Sequence, residues 1–295
     1  MAMSRVQVLL AAVCFGTTGT AQALGPDASA VTVGAVRIAV GAVLLLLVAH
    51  VVADRAASTA WPRGPLAVGA LGVAGYQLCF FAAVKDTGVA VGTVVALGSA
   101  PALAGAGGWL LDRRVPDRAW WLATGLACAG VATLALAGGG SEVSAPGVAL
   151  AVGAGTSYAA FTLASKRLLD AGHGVEPVMA YLFSIGAVLL IPVLLLGDLH
   201  WVTSTGGVAM ALWLGAIPTA VAYLLFAAGL RRLPANEVAT LTLAEPVTAT
   251  LLGAIVLGER PGAVAIAGIV VILAGLAVLA LPKRDERTPP VEVIA

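Results

Sequence analysis

The sequence predicts an all-α polytopic membrane protein of ten transmembrane helices, arranged as two inverted five-helix repeats. Three observations predict it. Of the 295 residues, 60% are hydrophobic and 11% are charged, with a mean hydropathy of +1.01. A soluble domain is about half apolar and about a quarter charged. Ten apolar runs of helical length follow one another across short gaps. Similar stretches then recur at a constant offset of 145 positions.

The runs lie at roughly 6–24, 31–52, 64–84, 89–111, 119–137, 146–165, 177–197, 206–229, 236–257 and 262–281. About 20 apolar residues cross the hydrocarbon as a helix. A barrel strand would alternate in polarity, and these runs do not. Only a helix then satisfies its own backbone in lipid. The run from Val6 lacks a cleavage signal ahead of a soluble domain, so it reads as a first span. Cys14, Cys79 and Cys128 all lie inside runs and read as small fillers, not as a disulfide or metal set.

Basic residues predict the orientation. With the N-terminus in the cytoplasm, the inner segments hold Arg5, Arg55, Arg63, Arg113, Arg114, Arg118, Lys166, Arg167, Arg231, Arg232, Lys283, Arg284 and Arg287. The outer loops hold Lys85 and Arg260, and Arg37 lies within a span. The positive-inside rule therefore places both termini in the cytoplasm.

The internal repeat is anchored by TLAEPVTATLLGAIVLGERP (242–261) and LGSAPALAGAGGWLLDRRVP (97–116). Pro101 aligns with Pro246, Gly108 with Gly253 and Pro116 with Pro261. At the same offset, 41–45 matches 186–190, 81–83 matches 226–228, 129–130 matches 274–275 and 134–136 matches 279–281. The first helix aligns at the shorter offset of 139, Gly16-Thr17 with Gly155-Thr156. The expected units are 5–137 and 146–281, joined by a flexible linker at 138–145. A charged, proline-rich tail at 282–295 reads as disordered. Five helices is an odd number, so the second copy enters the membrane from the other side. Matched, proline-interrupted helices in two inverted halves point to a midplane binding site.

The polar residues inside the runs are the candidate site. Glu245 lies about 13 Å into the ninth helix at 1.5 Å per residue. A carboxylate there must face the interior, find a partner or take up a proton. One reading makes it a proton-titrating or amine-binding group. The other makes it a protonated group bonded to the Thr242 carbonyl, which Pro246 would leave unpaired. Arg37 has three readings: snorkelling to the interface, binding a substrate carboxylate, or pairing with Glu245. Thr242 and Thr248 extend the Glu245 face. Cys14, Thr18 and Gln22 fall at helical spacing, as do Tyr158, Thr162 and Ser165, and Thr219, Tyr223 and Phe226. Tyr76 and Gln77 stand together in the third run, and Ser99 lies beside Pro101 in the fourth. A single Thr or Ser in a span commonly bonds its own helix or a neighbour. Together, these faces suggest a lined cavity, with Pro101 and Pro246 breaking the fourth and ninth helices. Small-residue pairs such as Gly98-x-x-x-Ala102 and Gly125-x-x-x-Ala129 read as bundle or homodimer contacts.

These residues carry a family resemblance. Arg37, the stretch 82–111 and the stretch AEPVTATLLGAIVLGERP (244–261) together resemble the drug/metabolite transporter superfamily, in its ten-helix form with two tandem EamA domains. The likeness spans about 5–281. Arg114 stands where the terminal glutamate of the motif sits, opposite Glu259 in the second half. The resemblance implies an inner-membrane carrier, similar to exporters of amino acids and amines. It implies drive from a proton gradient or the substrate's own gradient. It also implies a cavity lined by helices 1, 3, 4, 6, 8 and 9.

The expected function is therefore export of amino acids or similar small metabolites by alternating access. The alternative is efflux of cationic or lipophilic drugs. The expected partners are a small-molecule substrate and the lipid bilayer. No cofactor, metal or nucleic acid is expected, since the net charge is +1 and no basic patch stands out. His50, His173 and His200 lie apart at helix ends or in loops, which argues against an enzyme.

Overall fold

Long apolar runs leave the backbone little to bond except itself, and helices follow. The structure is a computed structural model that describes residues 2–52, 60–113, 115–136 and 144–280. The described residues contain helices and no strand. Residues 138–143 of the expected linker, the tail, Arg55 and Arg114 lie outside them, while Ser144 and Ala145 already cap and begin the next helix.

We number the spans in chain order. They are α1 (Ala2–Leu24), α2 (Ala30–Val52), α3 (Arg63–Gly88), α4 (Val91–Leu111), α5 (Arg118–Leu136) and α6 (Ala145–Asp170). There follow α7 (Val175–Leu189), α8 (Thr205–Leu230), α9 (Ala235–Val256) and α10 (Ala263–Ala280). Nine are long and apolar enough to cross a membrane by themselves. The tenth, α7, is continued by a short helix, Ile191–Leu196, after a break at Leu190. Pro192 opens that continuation, where its missing N–H costs nothing.

Several ends depart from the expected boundaries. Helix α6 runs on to Asp170, and Lys166 and Asp170 pair at 2.7 Å across its last turn. Helices α3 and α4 meet without a loop: Gly88 turns the chain with φ 76 and ψ 163, a conformation open to glycine. Helix α9 ends at Val256, and just beyond it Gly258, φ 71, turns the chain so that the Glu259 N–H donates back to the Gly253 carbonyl.

The two prolines behave differently. Around Pro246 the helix tightens into a 3₁₀ turn over Thr242–Ala244. There the backbone N–H of Glu245 donates to the Thr242 carbonyl. That carbonyl was expected to be orphaned; the tightened turn satisfies it instead. Helix α4 does not break at Pro101, since the backbone keeps helical dihedrals on both sides. A π turn over Ala216–Val221 interrupts α8 near Pro218, and Thr219 Oγ1 donates to the Leu214 carbonyl at 2.8 Å. This extra residue turns Thr219 off the Tyr223 face that the sequence spacing predicted.

The helices pair across the repeats. Helix α1 packs on α8 and α9, and α6 packs on α3 and α4. Helix α2 packs on α7, and α5 packs on α10. Exchanging every helix for the one five places along leaves this set unchanged. The symmetry reaches individual residues. A Cβ on Gly130 would meet the Gly268 carbonyl at 2.7 Å, and one on Gly275 would meet the Ala123 carbonyl at 2.7 Å. Both members of the second pair stand at the 145 offset from those of the first. Gly41 likewise abuts Gly215 and Thr219, while Gly186 abuts Ala70 and Val73. The sequence offset is thus the footprint of a two-fold axis through the bundle.

Candidate functional site

Between the helices lies a small space of about 20 Å³, room for about one water. Helix α2 supplies Arg37 and Ile38, and α3 supplies Gly72, Val73, Tyr76 and Gln77. Helix α6 supplies Tyr158 and Phe161, α7 supplies Phe183, and α8 supplies Tyr223. Helical spacing explains the clustering: Gly72, Tyr76 and Val73 share one face of α3, and Tyr158 and Phe161 share one face of α6. The rings interlock. Phe183 and Tyr223 lie 4.4 Å apart, Phe161 and Tyr223 5.5 Å, and Tyr76 and Tyr158 6.2 Å.

Polar atoms bound this space at two places. On one side Gln77 Nε2 donates to the Gly34 carbonyl at 2.9 Å, and Arg37 Nη2 donates to Gln77 Oε1 at 3.4 Å. Arg37 Nε is buried without a hydrogen-bond partner. On the other side the Tyr158 hydroxyl and Thr242 Oγ1 lie 3.1 Å apart. Thr242 Oγ1 is also 2.9 Å from the Ala239 carbonyl, to which it donates.

Glu245 is half-buried on α9, within electrostatic range of Arg37, Tyr76, Tyr158 and Tyr223. The ion pairs among the described residues are Arg5–Glu237 and Lys166–Asp170, so Arg37 and Glu245 do not pair directly. Arg37 lines the space, Glu245 stands outside its wall, and neither neutralises the other by contact.

The structure therefore places Arg37, Tyr76, Gln77, Tyr158 and Tyr223 in the wall of one space, with Thr242 bonded to Tyr158 and Glu245 within electrostatic range but outside the wall. It does not bring in the others. Thr162 is buried and donates to the Tyr158 carbonyl of its own helix. Ser99 donates to the Ala96 carbonyl and lies against Gly155. Thr18 and Gln22 do not line the space. Phe161, Phe183 and Ile38 were missed because apolar residues carry no signal in an apolar span. Ile38 and Phe183 do stand at the 145 offset, so the repeat could have found the second from the first.

At the end of the bundle that carries the basic residues, a vestibule of about 900 Å³ opens. Its walls include Arg5, Lys166, Arg167, Arg232, Asn236 and Glu237. Trp120 Nε1 donates to Thr240 Oγ1 at 3.0 Å and to the Asn236 carbonyl at 3.1 Å, and Thr124 meets Thr240 at 2.8 Å. Trp120 with Thr124, and Asn236 with Thr240, each stand at i and i+4. That spacing was a readable sign of facing polar stripes.

Two crossed five-helix repeats around a shared interior pocket, with a deep vestibule at one end, define a carrier-type membrane bundle. The comparisons with known proteins agree. The model of the EamA-like transporter family matches residues 4–136 and again 145–281. The chain is 41% identical over 283 residues to Uncharacterized transporter YwfM of Bacillus subtilis (strain 168), covering 95% of each. It is 32% identical over 249 residues to Threonine/homoserine exporter RhtA of Escherichia coli (strain K12), covering 83% of this chain and 79% of that one. A solved crystal structure at 20% identity shares the fold, with a TM-score of 0.82 over 95% of this chain and 97% of that one. The chain belongs to the EamA-like transporter family, and is a multi-pass membrane transporter.

Proposed function

We propose that this chain is a secondary transporter of the cell (inner) membrane that exports amino acids or similar small polar metabolites by alternating access. Both termini are cytoplasmic in this reading, so the vestibule faces the cytoplasm. The units that exchange around the site are built from the repeats 5–137 and 146–281.

The observation that carries the reading is Arg37. It reaches the central space from α2, holds one long hydrogen bond to Gln77 and keeps a buried Nε without a partner. A guanidinium with unspent donors is a receptor for a carboxylate, which it binds by paired, charge-assisted hydrogen bonds. Glu245 supplies the opposite charge for an ammonium group or a transported proton. The exporter RhtA, named for threonine and homoserine, supports substrates of this kind. The space is too small for an amino acid as it stands, so binding requires the rings around it to part.

The ring-rich wall favours one second reading, efflux of cationic or lipophilic drugs. Tyr76, Tyr158 and Tyr223 with Glu245 would hold a cation by its attraction to ring faces and to the carboxylate.

Proteoliposomes separate the two. Counterflow should be seen with threonine or homoserine and not with a quaternary-amine dye. Arg37→Ala should lower amino-acid transport at least about tenfold, the worth of a charged hydrogen bond. Dye transport without amino-acid transport, or full activity in Arg37→Ala, would overturn the reading. Glu245→Gln should weaken transport and flatten its pH dependence; if both are unchanged, Glu245 has no part in coupling.

A further inference from the structure

The central space and the vestibule are separate, and the wall between them is thin. Tyr158 lines the space, and Ala104, Leu163 and Asn236 line the vestibule. Leu163 lies five residues beyond Tyr158 on α6, about 7.5 Å along the axis. Asn236 lies six residues before Thr242 on α9, about 9 Å along the axis. Between them sits one buried cluster of small side chains, Ala104, Ala159 and Ala239, packed against Leu103 and Tyr158. Ala104 therefore faces the vestibule and touches the same cluster as the ring that walls the space. Three alanines leave little bulk there. What spans from α6 to α9 above them is the Tyr158 ring and its hydrogen bond to Thr242.

We propose that the Tyr158–Thr242 hydrogen bond, over the Ala104–Ala159–Ala239 layer, is the gate between the binding space and the vestibule. Tyr158 belongs to α6, which packs with α3 and α4. Thr242 belongs to α9, which packs mainly on α1 and, over its first turns, on the α3–α4 segment. The bond thus crosses from α6 to α9, which must part at this point for substrate to pass from the vestibule. Thr242 is held ready by its own bond to the Ala239 carbonyl, at the 3₁₀ turn ahead of Pro246. That local tightening aims the hydroxyl across the gap. The proposal rests on the transporter reading of the same site, but it does not depend on the substrate.

The test reads the path directly. Cys14, Cys79 and Cys128 are replaced by alanine, and Ile38→Cys places one thiol in the central space. A membrane-impermeant methanethiosulfonate reagent is applied to sided vesicles, from the vestibule face and from the other face in turn. Tyr158→Phe removes the hydroxyl and keeps the ring; Thr242→Val removes the partner. Each should raise the labelling rate from the vestibule face about fivefold, the population shift expected from one hydrogen bond, with the rate from the other face unchanged. Combining the two should add nothing further, and Thr242→Ser should label at the parent rate. Unchanged labelling from the vestibule face in both single variants would overturn the proposal, as would an equal rise from both faces. No transported compound is present, so a wrong substrate assignment would leave these rates unaffected and would show only in the counterflow assay.

Discussion

Arg5 shows how one side chain can hold distant parts of a membrane bundle. Its Nε lies 2.7 Å from Glu237 Oε1, and its Nη1 donates to the Ala280 carbonyl at 3.2 Å. One guanidinium thereby joins α1 to the start of α9 and to the last turn of α10. Glu237 is mostly buried in the vestibule wall, so removing Arg5 leaves its charge without a partner. Arg5→Ala should lower stability by about 2 kcal/mol, read as a lower melting temperature of the purified protein in detergent. Arg5→Ala with Glu237→Ala should cost less than the two single losses together, because the pair is lost only once. None of this was legible in the sequence, where Arg5 is one of many basic residues and its partner lies 232 positions away. Glu245 and Arg37 were legible, because a charge inside an apolar span stands out against its neighbours. Their lack of a direct ion pair was not, since it depends on how α2 and α9 sit around the rings.

Among the elements, close helix contacts are made by glycines at symmetry-related positions. On α5 and α10, Gly130 and Gly275 press against carbonyl oxygens of the partner helix. Gly130→Ala and Gly275→Ala should each destabilise by about 1–3 kcal/mol, and by similar amounts, since each meets backbone at the same distance. Gly125→Ala has nothing within 4 Å to meet, so it should not destabilise and should gain up to about 1 kcal/mol of helix propensity. Unfolding in graded denaturing detergent would compare the three. The small-residue pattern predicted contacts on α5 but could not say which glycines make them; among the described residues a Cβ on Gly125 would meet nothing within 4 Å, while one on Gly130 would meet α10. Helix boundaries were legible wherever hydropathy changed sharply. The π turn in α8, the break at Leu190 and the intact dihedrals at Pro101 were not. A proline marks a lost hydrogen bond, while neighbouring helices decide whether the backbone bends to recover it.

For the whole molecule, the count of ten spans and the 145 offset gave the architecture, because composition and repetition survive without knowledge of any contact. The opposed orientation of the two halves makes a direct prediction. Reporter fusions after residue 144 should lie outside the cytoplasm and fusions after residue 170 inside it. Finding both on one side would remove the two-fold relation on which the transport reading rests. The crossing of α1 and α6 also bears on how the protein is made. The first helix reaches the membrane long before α8 and α9 exist to receive Gly16 and Val8. During synthesis it must wait in the bilayer with lipid, or an insertion factor, covering the face that later fits the last third of the chain. The first five helices released alone would therefore lack the neighbours for their leading member, and each half should depend on the other for a lasting assembly.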